Sequence, residues 1–527
     1  MFKNILKIFT GTFISRIIGF IREIIVASFF GTGKVADAFT LALIFPNLFR
    51  QILGEDMVER AFMPPFKSIY DRGGKAQSWK FISVVFNWFF IILMITTFVL
   101  YLIIPLIFSL RGSFPDLFGN VFSNNDFDYE LTLKLILILL PFTIFIGLAA
   151  FIGSILNFFE KNWIFGLAPA MLSVGVIAGI YVLYPYIGGY SIAVGYVFGA
   201  FLQMAIQIPF LYNRKFKNET DLKYHTVLKD PEQDYKVLKR ESRFITLNAA
   251  LDKTQEVFGR FFASTLLQGS TSSLFYAIRL FQLPFAILSL PITRGINPEL
   301  NRLKANENYQ AFNHVYSKGL NLYLLMFFPI SVILVCCSPE IIDIVYRRGH
   351  FDASSLHLTS LAFSMYSLGL LPMSLVGYYK RVLSLFNKNK YALYISLISA
   401  ILNILFALVF VKFTPMGHEG IALASSLAFF VNMWVMHNYT RKELKAFIRE
   451  SQFKVVVNII MLCLLSAIII AFTFYFGLEF YKNKIQSVIS ITAKSGIIFT
   501  IFILFYLLNK NLRPIFKGFF IRNKGNI

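Results

Sequence analysis

Apolar residues run along this chain in long blocks, many of 18 residues or more, separated by short polar stretches. Blocks of that length match the roughly 20 residues an α-helix needs to cross a hydrocarbon core about 30 Å thick. They lack the residue-by-residue alternation of an outer-membrane strand. The pattern predicts an all-α integral membrane protein with about 14 transmembrane helices, near 5–30, 36–53, 81–110, 131–158, 164–187, 188–212, 243–267, 271–297, 319–346, 357–384, 390–412, 418–440, 454–479 and 487–509. The longest polar stretch, 213–243, separates six spans from eight, and its mixed charge predicts a cytoplasmic linker. The opening MFKNILKIFTGTF has the basic start of a signal peptide. Its apolar run is interrupted by Arg16 and no small-residue cleavage site follows, which predicts a retained helix.

The two halves echo each other faintly. DAFTLALIFPNLFRQIL (37–53) and SLFYAIRLFQLPFAILSL (273–290) each place an aromatic-rich run before a proline, with an arginine close by. Transporters built from duplicated halves often assemble a central site from interrupted helices. Pro46, Pro141, Pro169, Pro284 and Pro291 all lie inside apolar runs, where each removes a backbone hydrogen bond and allows a kink.

Composition agrees: the chain is 57% hydrophobic and 15% charged, with a mean hydropathy of +0.65, which excludes a soluble domain. The net charge of +22 raises nucleic acid as a partner, but its placement argues otherwise. With the N-terminus inside, 34 of the 50 Lys and Arg fall on cytoplasmic segments and 7 on outer ones, the remainder within spans. That is the positive-inside pattern; it predicts cytoplasmic N- and C-termini and membrane lipids with anionic head groups as neighbours, and no nucleic acid. Cys336 and Cys337 are adjacent and Cys463 stands alone, an arrangement suited to packing rather than to a disulfide or a metal. The six His show no metal-binding spacing, so no metal centre is expected.

The informative residues are the charges at membrane depth, each costing at least about 2.5 kcal/mol on insertion scales. Arg16, Arg22 and Glu23 lie in the first span, Asp37 and Arg50 in the second, Asp252, Lys253, Glu256 and Arg260 in the seventh, Arg279 and Arg294 in the eighth. Arg16 and Arg22 are separated by a rise of about 9 Å and about 120° around the helix, whereas Arg16 and Glu23 share one stripe. Residues near span ends, such as Arg50, Lys253 and Arg294, can snorkel to the interface or pair as structural salt bridges. Arg16 and Arg279 are more central and suit a face turned to a water-filled cavity. The four spans that open the two halves carry a surplus of guanidinium, whose planar fork suits phosphate or carboxylate. The physics therefore points to a transporter with a cationic central cavity and an anionic headgroup as cargo. A membrane-embedded enzyme of polyprenyl-phosphate metabolism is the alternative from another class. It would call for clustered carboxylates or a His/Asp pair, and no DxxD or His-centred cluster lies within a span.

At these residues a family resemblance enters. SRIIGFIREIIVASFFGTGKVADAFTLALIFPNLFRQILGED (15–56) closely resembles the opening of the MurJ/MviN family of bacterial lipid II flippases, within the multidrug/oligosaccharidyl-lipid/polysaccharide exporter superfamily. The residues that carry it are Ser15, Arg16, Gly19, Phe20, Arg22, Glu23, Asp37, Ala38, Phe39, Pro46, Asn47, Arg50 and Glu55. FYAIRLFQLPFAILSLPITRGINPEL (275–300) and YRRGHFD (346–352) continue it, and NFFEKNWIFGLAP (157–169) does so more loosely. The resemblance implies an N-terminal lobe (1–212), the linker (213–242) and a C-terminal lobe (243–440), the two six-helix lobes related by a pseudo-twofold around the central cavity. It implies that the last two spans, within 441–527, form a groove for a lipid tail ahead of a cytoplasmic tail. It further implies that Arg16, Arg22, Arg50 and Arg279 bind a lipid-linked diphosphate, with Ser15, Gly19, Glu23, Asp37, Asn47 and Glu55 supporting or gating. The implied cargo is the undecaprenyl-diphosphate-linked precursor lipid II, moved by alternating access across the bacterial inner membrane, with cell-wall synthesis proteins as possible associates and no cofactor. A sibling exporter of another polyprenyl-diphosphate oligosaccharide, or of drugs, is the nearest alternative.

The chain departs from the family pattern in places. Ile278 stands where the family has Asp before the second arginine, and Asp56 and Glu59 add charge after the first-lobe Glu. Of the sodium ligands some members use, only Asn403 has a match, with Gly259 and Ala407 at positions where acids are expected. NKNKYALY (387–394) lacks the Thr-Pro that many members carry after the tenth span. Coupling to membrane potential or to an ion stays open at this point.

Overall fold

Spanning runs that contain a proline behave in two ways in the computed structural model, which describes residues 2–49, 58, 62–113, 128–212, 224–228, 257–386, 388–443 and 484–508. Some helices continue straight through: α4 (Met63–Ser113) passes Pro105, α5 (Tyr129–Phe158) passes Pro141, and α6 (Asn162–Ile187) passes Pro169 and Pro185. α9 (Ser270–Ala305) likewise passes Pro284 and Pro291, and α10 (Tyr309–Cys336) passes Pro329. Elsewhere the run breaks and the proline sits in the first turn of the next helix, where its missing N–H is not needed. Thus α2 (Lys34–Ala42) gives way to α3 (Ile44–Phe49) ahead of Pro46, and α7 (Tyr190–Ala205) to α8 (Ile208–Tyr212) ahead of Pro209. In the same way α10 gives way to α11 (Ser338–Tyr346), which carries Pro339, so the ninth span, expected as one helix over 319–346, is two. The tenth is α12 (Ala353–Leu368) and α13 (Leu370–Leu385), bent by 43° just before Pro372. α14 (Asn389–Phe413), α15 (His418–Glu443) and α16 (Lys484–Leu508) complete the set of sixteen bounded helices, and no strand occurs among the described residues.

Several starts are capped as the residue types dictate: Asp128, Asn308 and Asp352 each accept a backbone N–H three residues on, at 2.8, 3.1 and 2.8 Å. Gly188, with φ of +52°, turns the chain between α6 and α7.

Among the described residues, nine helices are long and apolar enough to cross a membrane, or ten with the bent pair counted as one span. α1 (Phe2–Phe30) is long enough but carries Arg16, Arg22 and Glu23. The thirteenth expected span, most of the seventh, most of the linker, Arg50 and Glu55 lie outside the described residues. The chain is therefore an all-helical, multi-pass membrane protein.

It divides into two compact units, 1–272 and 273–527. In the first, α6 packs on both α1 and α7, and α7 packs on α5. The α6–α7 approach is backbone on backbone: a Cβ on Gly175 would fall 2.3 Å from the Cα of Gly199, and one on Gly179 would fall 2.5 Å from that of Gly195. α4 begins before its expected span because Phe62, Phe66, Tyr70 and Trp79 stack with Phe151, Phe158 and Phe159. Its opposite face presents Trp88, Met94, Ile95, Phe98, Leu102 and Ile107 unburied. Of the linker, residues 224–228 lie without helix against α4. Asn87 donates to the carbonyls of His225 and Val227, Trp88 donates to that of Leu228, and Ser83 accepts from the N–H of His225. In the second unit, α15 packs on α12, α13 and α14, and α10 packs on α12 and α13, where buried Tyr316 and Tyr323 meet Tyr378.

Candidate functional site

α1 carries the first group of candidate residues. Arg22 and Glu23, neighbours in sequence, pair directly: the guanidinium Nη2 donates to Glu23 Oε1 at 2.5 Å. The stripe shared by Arg16 and Glu23 is therefore not what selects Glu23's partner. α6 and α7 complete the Arg22 pocket, since Ser173 accepts from Nη1 at 3.4 Å and the guanidinium lies 5.4 Å from the centre of the Tyr196 ring. No local pattern in the sequence marks Ser173 and Tyr196, a hydroxyl and a ring that a distant arginine reaches. Gly19 lies one turn before Arg22; a Cβ there would stand 3.8 Å from Ser173 Oγ, an ordinary contact.

This pair is not closed on itself. Arg22 Nε and Glu23 Oε2 are both buried with no hydrogen-bond partner among the described residues. A buried polar atom left unmade costs about 1–3 kcal/mol, more when it belongs to a charged group. Arg16 is exposed, and Ser15 beside it is half-buried.

Asp37 is held by the start of a helix. Its buried carboxylate accepts from the N–H of Gly269 at 2.5 Å and from the N–H and hydroxyl of Ser272 at 2.8 and 2.7 Å. It thus caps the N-terminus of α9, where a negative charge also meets the helix dipole. Three donors from one helix start thus converge on this carboxylate. Arg260, buried, donates to the carbonyl of Thr40 at 3.4 Å, tying 257–263 to α2. Asn47 is half-buried in α3, its N–H bonded to the carbonyl of Leu43.

Arg279, on α9 in the second unit, is half-buried with its guanidinium 5.0 Å from the centre of the Phe275 ring. Its Nε, like that of Arg22, is buried without a hydrogen-bond partner among the described residues. Ile278, in place of the family's Asp, offers it no carboxylate. Asn403 donates to Ser425 Oγ at 3.1 Å, and no cluster of three or more His, Cys, Asp or Glu suited to a metal occurs among the described residues.

The second unit also contains a charge cluster apart from the arginines singled out in the sequence. Glu340 and Asp343 of α11 meet Ser487, Ser490 and Lys494 of α16. The available signal was an E-x-x-D step inside one apolar run and a lone Lys inside another.

Comparison with known proteins decides the family. The family model described as "Lipid II flippase MurJ" matches residues 26–492. The chain belongs to this family. It is therefore a transporter family member and not an enzyme. Among relatives named "Probable lipid II flippase MurJ", that of Buchnera aphidicola subsp. Schizaphis graminum is 27% identical over 507 residues, covering 95% of each chain. That of Rickettsia prowazekii is 27% identical over 475 residues, 90% of each. That of Borreliella burgdorferi is 28% identical over 491 residues, 90% of this chain and 88% of its own. The fold is similar to a solved structure titled "Lipid II flippase MurJ, inward closed conformation", with a TM-score of 0.74 at 24% identity over 95% of this chain and 98% of that one. It is also similar to an inward-facing multidrug resistance MATE family transporter of the MOP superfamily, with a TM-score of 0.64 at 13% identity over 82% and 95%.

Proposed function

We propose that this chain moves lipid II, the undecaprenyl-diphosphate-linked peptidoglycan precursor, from the cytoplasmic to the outer face of the bacterial inner membrane by alternating access. The observation that carries the reading is the pair of intramembrane arginines, Arg22 and Arg279, each with a buried Nε–H that no described residue accepts. The Nε–H and one Nη–H of a guanidinium form the fork that grips two oxygens of a phosphate, a geometry Lys lacks. A diphosphate supplies the missing acceptors. Arg16 and Arg50 are assigned to the same headgroup, and Glu23 keeps Arg22 oriented while offsetting its charge when the site is empty. Glu55 and Asn47 support that site by their place in the family pattern. The termini lie in the cytoplasm, following the placement of Lys and Arg. Energy comes from the membrane potential or an ion gradient, without an organic cofactor.

The test is the amount of lipid II exposed at the outer face of a bacterium depleted of its own flippase and carrying this chain. Wild type restores exposure, and the exposed lipid is chemically unchanged. Arg22→Ala and Arg279→Ala lose it at unchanged membrane level, and Arg22→Lys and Arg279→Lys recover little, since the fork is gone. Full activity in both Lys variants would remove bidentate phosphate binding as the basis of the site. A chemically altered lipid would identify an enzyme instead.

A further inference from the structure

α16 meets the rest of the second unit along one stripe of its surface, and the two ends of that stripe are unlike. Toward Leu508 the stripe is apolar or aromatic: Ile498, Phe502 and Tyr506 are buried, Phe502 lies 5.9 Å from Phe328, and Tyr506 donates to the carbonyl of Leu325. Toward Lys484 it is polar and charged. Lys494 and Ser490 both donate to Glu340 Oε1, the latter at 2.9 Å, and Ser487 donates to Asp343 Oδ2 at 2.8 Å. Arg347 completes the cluster with a 3.0 Å contact to Asp343 Oδ1. Glu340 is fully buried and Lys494 nearly so.

Lys494 stands ten residues into a helix of 25, about 15 Å from its start, so a cation is held deep within a spanning segment. Simple attachment does not call for that. Apolar stripes hold helices together in lipid by packing alone, and other faces of this unit do so. What packing alone does not supply is register, because lipid is as apolar as the stripe and a helix can slide or turn at small cost. A buried ion pair behaves differently: one step of slip leaves both charges without partners. The spacing fits that purpose. Glu340 and Asp343 are three apart on α11, while Ser487, Ser490 and Lys494 follow one face of α16, so the two arms engage together in one alignment only.

We propose that the Glu340–Lys494 pair, with Asp343–Ser487 as its second arm, fixes α16 in register on α11 and makes α16 a rigid part of the second unit during transport. Glu340 and Lys494 are positioning residues: they touch no cargo but set where this helix presents its remaining faces to the lipid tail. The proposal rests on the transport reading above, and its test separates the two.

The full-length chain is first freed of thiols by Cys336→Ala, Cys337→Ala and Cys463→Ala, then given Phe328→Cys and Phe502→Cys, at a contact of α16 outside the charged cluster. It is joined in cells by a short bifunctional thiol cross-linker, and outer-face lipid II is measured. Wild type failing to expose lipid II would undo the transport reading itself. With wild type active, the cross-linked protein is expected to transport within about twofold of the uncrosslinked one, as a helix that never moves on its partner loses nothing by being tied. Loss of transport on cross-linking would overturn the proposal. Glu340→Lys or Lys494→Glu alone should cut transport about tenfold or more, and the two together should recover most of it at normal membrane level. The apolar pair Glu340→Leu with Lys494→Met tests register apart from folding: it should insert normally yet transport several-fold less. Wild-type transport by that pair, or no recovery in the charge swap, would overturn the assignment.

Discussion

Asp37 and Asp352 show one residue type capping helices in two settings with different consequences. Asp37 is buried and takes three hydrogen bonds from the start of α9, so Asp37→Ala should destabilise the protein by about 2 kcal/mol. Asp37→Asn, which keeps an acceptor oxygen but loses the charge, should fall between it and wild type in detergent thermal unfolding. Asp352 is exposed in the loop before α12. The Ser355 backbone N–H, then its hydroxyl, holds the Asp352 carboxyl below the usual carboxylate range. A depressed carboxyl contributes stability that is fully present above its unfolded value, about 3.9, and is lost as pH falls through the lower folded value. Asp352→Ala should therefore cost about 0.5–1 kcal/mol near neutral pH, and its difference from wild type should fade below about pH 4. Thermal midpoints of both proteins between pH 6 and 3 check this. Arginines at depth were legible in the sequence because a charge in an apolar run is conspicuous. Their partners were not: Glu23 could pair with Arg16 on its stripe, with its neighbour Arg22 or with an arginine on another helix, and Ser173 and Tyr196 meet Arg22 only because α6 and α7 pack where they do.

At the scale of elements, helix identity followed from the apolar runs, and the breaks followed a rule that the runs alone do not state. A proline interrupts a span where it can occupy the first turn of a new helix, as at Pro209 and Pro339, and is otherwise carried within it, as at Pro141 and Pro169. Whether a neighbouring helix compensates the lost hydrogen bond is a tertiary matter, so both outcomes read alike beforehand. Glycine divides in the same way. Gly175 lets α6 and α7 touch through their backbones, so Gly175→Ala should force them apart and cost about 1–3 kcal/mol. Gly295, within α9, has nothing within 4 Å of its missing Cβ, so Gly295→Ala should be neutral or stabilise by up to about 1 kcal/mol. Thermal unfolding of the two variants side by side separates a packing glycine from a spare one.

For the whole molecule, the long apolar blocks and the arginines led to a membrane transporter with an anionic cargo, residues 15–56 carried the resemblance to the family, and the match over 26–492 shows that family. The α11–α16 cluster was less legible because its members lie about 150 residues apart in the chain, and each alone resembles a stray charge. The unburied face of α4 carries a further consequence for the lipid itself. From Trp88 to Ile107 it exposes apolar side chains over 19 helical steps, about 29 Å, nearly the thickness of an ordinary hydrocarbon core. A bilayer of shorter or longer acyl chains must then thicken or thin locally, or the helix must tilt, at a fraction of a kcal/mol per Å. Reconstituted into vesicles graded by chain length, the protein should work best where membrane and ruler agree.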